Sequence, residues 1–317
     1  MKKRLIWVPQ YPCQLRYPEW WFIEIPRKLS HVYEVITLGM WWYKESSNDA
    51  KIKKDEWTPI EESLRFEQGQ IEEYLDLELR EDDTLLIADL SFQESFCSQL
   101  YFKRPKKCYA YCHGTSLNKF DLFEDDRESK FLCESGHAKL FDKVFVGSEY
   151  HKDKLKWDNT SVIGLPRNSL LLKVTRERIW DIVSVARPCV QKIDSQIENE
   201  IFCYYNIKRN EDVNDWFEYS ELLSSSKILL ISSQEDTFNY SLLDSLTCGC
   251  IPIAPRKLCF PEILPDYLLY DDAQEAIKII RNILNDKVQI KDIKLLNENL
   301  VFGFYSNLIL QMGGFNE

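Results

Sequence analysis

Apolar residues in this chain come in short unbroken runs, each followed by a polar loop and then a stretch with helical spacing. In the first half the runs are Arg4–Val8, 32–38, 84–88, 107–112, 143–147 and 161–165; in the second they are 180–185, 202–206, 227–232, 250–254 and 267–270. Runs of this length without alternation suit strands buried on both faces, as in parallel sheets. Between them, residues 20–30, 59–79, 91–102, 130–140, 149–157, 213–224, 238–247 and 273–284 place apolar side chains three and four apart and read as helices. Residues 40–58 are charged and irregular and read as an excursion; residues 166–172 read as a linker, after which the alternation restarts. Two halves that each alternate strand and helix imply an α/β fold with two parallel sheets and a cleft between them. The expected division is 1–168 and 169–298, with 299–317 forming a last helix that returns to the first domain.

The stretch 231–272 carries the clearest chemistry. A strand leads into an acidic turn, an amphipathic helix follows from 238, and Gly249 breaks it before the next strand. Asp236 and Asp244 stand eight residues apart across the start of that helix. Free amides at a helix N-terminus suit a phosphate, and carboxylates suit sugar hydroxyls. A capping Asp followed by one solvated helix Asp is the equally open alternative. His113 ends the run 107–112 and is followed by Gly114, Thr115 and Ser116. Open α/β sheets place ligands at such strand ends, although a His satisfied within a turn reads the same way. Arg187 and Lys192, five apart after the run 180–185, can converge on a diphosphate or lie as ordinary surface charge. All three signals fall on one predicted edge, which favours a ligand site.

A length of 317 residues suits two domains. The net charge of −11 argues against general nucleic-acid binding, with the basic strip Lys103, Arg104, Lys106 and Lys107 as a local exception. Ten cysteines without a C-x-x-C pair, and no signal peptide ahead of the first strand, lead to the expectation of reduced thiols in a cytoplasmic protein. No apolar run reaches membrane-spanning length. Cys108, Cys112 and His113 are read as alternation along a strand before they are read as metal ligands. The loop after the first strand has no glycine, so the dinucleotide fingerprint of NAD-binding folds is missing.

The run from Asp236 to Gly249 resembles the E-x7-E signature of retaining GT-B glycosyltransferases of the family 4 type, with aspartate at both glutamate positions. Arg187 and Lys192 are similar to the pair that holds the donor diphosphate in that family. His113 is similar to its active-site histidine, and residues 142–155 resemble the last strand and helix of its N-terminal domain. Residues 248–263 resemble the tRNA-queuosine mannosyltransferase group. The resemblance implies two Rossmann-like domains facing across a cleft, and sugar transfer with retention from a UDP- or GDP-sugar donor without a metal. It implies that Arg187, Lys192, Phe238, Asn239, Tyr240 and Ser241 hold the nucleotide and its diphosphate, with Asp244 on the ribose. Asp236, or Glu235 beside it, would bind the transferred sugar, with His113 positioning it. The aromatic loop 11–21, with Arg16, Tyr17 and Glu19, suggests a modified nucleic-acid base as acceptor, either queuosine in tRNA or a hydroxymethylated base in DNA. The alternatives are a glycan or small-molecule acceptor, a non-catalytic nucleotide-sugar-binding protein, and a nucleotide-sugar isomerase or epimerase.

Overall fold

The structure is a computed structural model that describes residues 2–45, 60–120, 124–172 and 177–314. The chain runs β1 (Arg4–Val8), α1 (Tyr17–Leu29), β2 (Glu34–Thr37), α2 (Met40–Glu45), α3 (Ile60–Asp76), β3 (Thr84–Ile87), α4 (Glu94–Gln99), β4 (Lys107–Tyr111), α5 (Arg127–Ala138), β5 (Lys143–Val146), α6 (Glu149–Leu155) and β6 (Thr160–Val162). A second series follows: β7 (Trp180–Ser184), α7 (Ser195–Phe202), β8 (Ile207–Arg209), α8 (Trp216–Ser224), β9 (Ser226–Leu230), α9 (Tyr240–Thr247), β10 (Ile251–Pro255), β11 (Leu269–Tyr270) and α10 (Ala273–Leu284). The chain ends in α11 (Glu298–Phe302) and α12 (Phe304–Gln311).

The first series forms a six-stranded sheet of order β2-β1-β3-β4-β5-β6, and the second a five-stranded sheet of order β11-β10-β9-β7-β8. Every pairing in both sheets is parallel. Crossover helices bury both faces, which is why β1 and β10 are buried at every position. In the first sheet the chain goes from β1 to β2 on one side and then to β3 on the other. In the second it goes from β7 to β8 and then to β9. Each reversal opens a crevice beyond the carboxyl ends of its two central strands.

Two segments differ from the sequence pattern. Residues 202–206, read as a strand, are the end of α7 and the turn after it. Asp194 caps that helix by accepting the N–H groups of Gln196 and Ile197 at 3.1 and 3.3 Å, and the aromatic side chains of Phe202 and Tyr204 point to solvent. The strand comes later, at β8. Residues 40–45, read as irregular, form α2; the rest of that excursion, 46–59, lies outside the described residues.

The chain end returns to the first sheet. Phe304 of α12 meets Trp21 of α1 with ring centroids 5.8 Å apart, and Lys143 bonds Gln311. Leu165 donates its N–H to the Leu300 carbonyl at 3.0 Å, and Gly164 beside it has φ +81. A β-carbon on Gly164 would land on that carbonyl, so this close approach requires glycine.

Candidate active site

A cleft of about 940 Å3 lies between the carboxyl ends of the two sheets. Its walls bring together His113, Arg16 and Tyr17 from the first unit with Arg187, Lys192, Asp236, Phe238, Asn239, Tyr240, Ser241 and Asp244 from the second. Glu235 and Glu19 are not among its lining residues.

The second unit builds its wall around the start of α9. Asn239 caps the helix, its Oδ1 accepting the Leu242 N–H at 2.9 Å, while its Nδ2 donates to Asp236 Oδ2 at 2.8 Å. One side chain therefore fixes both the helix start and the acidic turn. The Lys192 ammonium lies 3.1 Å from Asp236 Oδ1, and Ser233 Oγ donates to the other carboxylate oxygen at 3.3 Å. Two turns along, Asp244 is buried and accepts from the Tyr219 hydroxyl at 3.3 Å. Its other oxygen, Oδ1, is buried without a partner among the described residues. Burial pushes the Asp244 carboxyl up to about 8, which favours its protonated form at neutral pH.

The neighbouring carboxylate serves another purpose. Glu235 turns toward the first unit, where it meets Lys154 Nζ at 2.9 Å, the Tyr150 hydroxyl at 3.2 Å and the Lys119 N–H at 3.3 Å. It ties the two units together, and of the adjacent acids Asp236 is the one that faces the cleft. Further ties lie alongside. Ser148 Oγ donates to the Thr237 carbonyl and Thr237 Oγ1 to the His113 carbonyl, both at 2.6 Å. The Glu262 carboxylate accepts the first N–H groups of α6, from Glu149 at 2.8 Å and Tyr150 at 2.6 Å. Phe238 packs on Gly147, where a β-carbon would come within 2.8 Å of its ring.

On the first unit, His113 follows β4 and sits among aromatic rings: Tyr17 at 4.1 Å, Tyr111 at 4.4 Å and Trp21 at 4.5 Å between centroids. Its Nδ1 is 3.4 Å from the Tyr240 hydroxyl, and its Nε2 is buried without a partner among the described residues. Burial drives its pKa well below the ordinary histidine value, so the imidazole is neutral. Tyr17 also stacks on Tyr240 at 5.2 Å and 16°, joining the first residues of α1 and α9 across the cleft. Arg16 comes opposite Arg187. Burial first, and then the charge of Arg187, hold the Arg16 pKa below its usual value. Two guanidiniums facing one space suit an anion between them. Glu19, by contrast, is taken up by the Leu15 N–H at 2.8 Å and the Trp216 indole at 2.7 Å.

Sequence reading passed over Asp89, Gln10 and Tyr219. Asp89 stands immediately beyond the apolar run of β3, so its place at a strand end was the available signal. Two residues of the basic strip are engaged in the fold: Lys103 bonds the carbonyls of Leu75 and Leu77, and Arg104 bonds the Leu140 carbonyl and pairs with Asp142. Among the described residues no cluster of three or more His, Cys, Asp or Glu side chains is arranged to hold a metal, and no helix is long and apolar enough to cross a membrane.

The fold is that of GT-B glycosyltransferases, two Rossmann-like domains facing across a cleft. A sucrose-phosphate synthase from Thermosynechococcus elongatus superposes with a TM-score of 0.66 at 14% identity, covering 98% of this chain and 98% of that one. An E. coli trehalose-6-phosphate protein bound with UDP-2-fluoro glucose gives 0.59 at 10% identity, covering 98% of this chain and 96% of that one. The S. aureus protein TarM, in complex with UDP, gives 0.56 at 14% identity over 78% of this chain and 59% of that one. No family model matches the sequence. The tRNA-queuosine alpha-mannosyltransferase of Drosophila melanogaster is 35% identical over 65 residues, 20% of this chain and 17% of the relative.

Proposed function

We propose that this chain is a glycosyltransferase that moves a sugar from a UDP- or GDP-sugar to a hydroxyl acceptor with retention at the anomeric carbon. The observation that carries the reading is the meeting of Arg187, Lys192, the start of α9 and the half-satisfied Asp244 in one cleft at both strand-order reversals. Solved structures of the same fold that hold UDP or a UDP-sugar support it.

The difficult event in such a transfer is departure of a nucleoside diphosphate, which gains negative charge as the glycosidic bond lengthens. Arg187, Lys192 and the amides at the start of α9 supply positive potential there. On this reading they do the work that a divalent cation does elsewhere. Asp244, protonated, both donates to and accepts from the ribose hydroxyls. Asp236 holds sugar hydroxyls from a position preset by Asn239 and Lys192. The neutral His113 packs beside the sugar and offers Nε2 to one of its oxygens. The acceptor attacks from the face that the diphosphate leaves, and the ties between the units exclude water that would hydrolyse the donor. Residues 1–168 and 299–317 form the acceptor-side domain, and 169–298 the donor-side domain.

For the acceptor we favour a modified nucleic-acid base. The likeness of a 65-residue stretch to the queuosine enzyme and the aromatic rings lining the acceptor end support that choice. Transfer to a base in tRNA or DNA would place the enzyme in the cytoplasm, the compartment that the ten cysteines without a C-x-x-C pair lead one to expect. A panel of nucleotide sugars read by thermal shift and by nucleotide release tests the donor, and mass shift of tRNA and hydroxymethylated DNA tests the acceptor. Arg187→Ala should abolish nucleotide binding and release; if it changes neither, the donor site is elsewhere. Absence of a mass shift in both nucleic acids rejects the acceptor.

A further inference from the structure

Two carboxyls flank β3, and they differ in what they bond. Asp83, ahead of the strand, is paired with Arg4 (Nε to Oδ1 2.7 Å) and accepts the Arg80 N–H at 2.8 Å, contacts that close the far end of the sheet. Asp89, beyond the strand, is fully buried. A buried carboxyl is tolerated only when its oxygens are bonded. The bonds of Asp89 go to the cleft edge. Oδ2 lies 3.1 Å from the Tyr17 hydroxyl and 3.5 Å from Gln10 Nε2, and Oδ1 accepts the Ser91 N–H at 3.1 Å. The carboxyl also accepts the backbone N–H of His113. One acid thus touches Gln10, Tyr17 and His113, all of which line the cleft.

The Tyr17 hydroxyl has two acceptors within reach, Gln10 Oε1 at 2.6 Å and Asp89 Oδ2 at 3.1 Å, but a single proton to donate. That proton is shared between the two, and Asp89 Oδ2 also receives Gln10 Nε2, so the carboxylate, the phenol and the amide close a ring of contacts. Asp89→Asn replaces an accepting oxygen of that ring by an amide that cannot accept. The contacts fix the phenol about its ring axis, and the ring is the wall that His113 meets at 4.1 Å.

We propose that Asp89 is a positioning residue for sugar transfer, acting through the Tyr17 hydroxyl and the His113 backbone to hold the His113 ring toward the transferred sugar. The inference rests on the glycosyltransferase reading. Asp89 does not line the cleft, so it sets the rate of the chemical step without contributing to donor binding.

The test compares wild type, Asp89→Asn, Tyr17→Phe and the double variant, using whichever of UDP-glucose, UDP-N-acetylglucosamine or GDP-mannose the wild type turns over. The readouts are kcat and donor KM for sugar release, with nucleotide binding and the thermal midpoint measured alongside. Each single variant should lose about ten-fold or more in kcat with KM unchanged within about three-fold, the pattern of misplaced geometry. The double variant should lose no more than the worse single one, because both act on one link. Wild-type kcat in either single variant overturns the proposal, as does a double variant whose loss is the product of the two. If Asp89→Asn unfolds, Tyr17→Phe decides alone by the same kcat and KM criterion. A wild type that binds and turns over none of the three donors counts against the glycosyltransferase reading, a result separate from a working wild type matched by its Asp89→Asn variant.

Discussion

The indole of Trp216 donates to the Glu19 carboxylate across 2.7 Å, linking the first turn of α8 to the first turn of α1 over the cleft. Glu19 also holds the Leu15 N–H, so this acid braces the two units and the loop ahead of α1 together. Trp216→Phe keeps an aromatic ring and removes the donor. We expect a loss of about 1–2 kcal/mol in stability and, with the brace gone, more donor hydrolysis relative to transfer. An unchanged ratio of hydrolysis to transfer would show that this bond plays no part in closing the cleft.

Asp244 carries a prediction that separates a protonated acid from an ordinary carboxylate. Since burial keeps its proton on at neutral pH, Asp244→Asn should bind UDP or GDP almost as wild type does at pH 7. Asp244→Leu removes the bonding oxygens and should weaken binding by about ten- to a hundred-fold, the cost of leaving a ligand hydroxyl unpaired. Calorimetric titration distinguishes them; equal loss in the two variants would mean that Asp244 acts as an anion.

Stability should bend with pH in a direction set by the buried acids. The carboxyls of Asp89 and Asp244 are pushed up to about 7 and about 8 by burial, from an ordinary value of 3.8. Between those limits the folded chain holds protons that the unfolded chain has released, so their contribution is complete below about pH 4 and is lost as pH rises through 7 and 8. His113, His137 and His151 work the other way. Burial depresses all three, His151 to about 3, so their contribution is complete about a unit above pH 6.5 and is lost as pH falls. Above about pH 7.5 the histidines are silent and the carboxyls act alone. The thermal midpoint should therefore drop from about pH 7.5 to 8.5, at up to about 1.4 kcal/mol per pH unit for each acid still protonated. Asp244→Asn should flatten the upper part of the slope, and a wild-type midpoint that rises over this window would refute the assignment.

Gly164→Ala should be severe for its size. The new β-carbon meets the Leu300 carbonyl, and the backbone at φ +81 disfavours any side chain. A loss on the order of 2–4 kcal/mol is expected, together with proteolytic release of the segment carrying α11 and α12. A variant that resists protease as wild type does would show that this segment is held elsewhere.

Much of the fold could be read from the sequence because the strands of a doubly covered parallel sheet are written as plain apolar runs, as in β1 and β10. The Asp194 cap of α7 was harder to see. Phe202, Tyr204 and Tyr205 have strand-like composition, and only solvent exposure of the first two shows that the segment is a helix end and turn. At the site, Arg187, Lys192 and Asp236 were marked by their place after apolar runs, and Asp244 by its spacing of eight from Asp236. Which of Glu235 and Asp236 faces the cleft was not legible, because the answer depends on Lys154 and Tyr150, some eighty residues earlier in the chain. Asp89 escaped for a related reason: its partners Gln10 and Tyr17 are brought to it only by the pairing of β1 with β3.

The chain passes from the first sheet to the second after β6 and back again after α10, where α12 lies against α1. Two such crossings join the units twice through the backbone, so re-forming a side-chain tie across the cleft, such as Glu235 with Lys154, is an intramolecular event at high effective concentration.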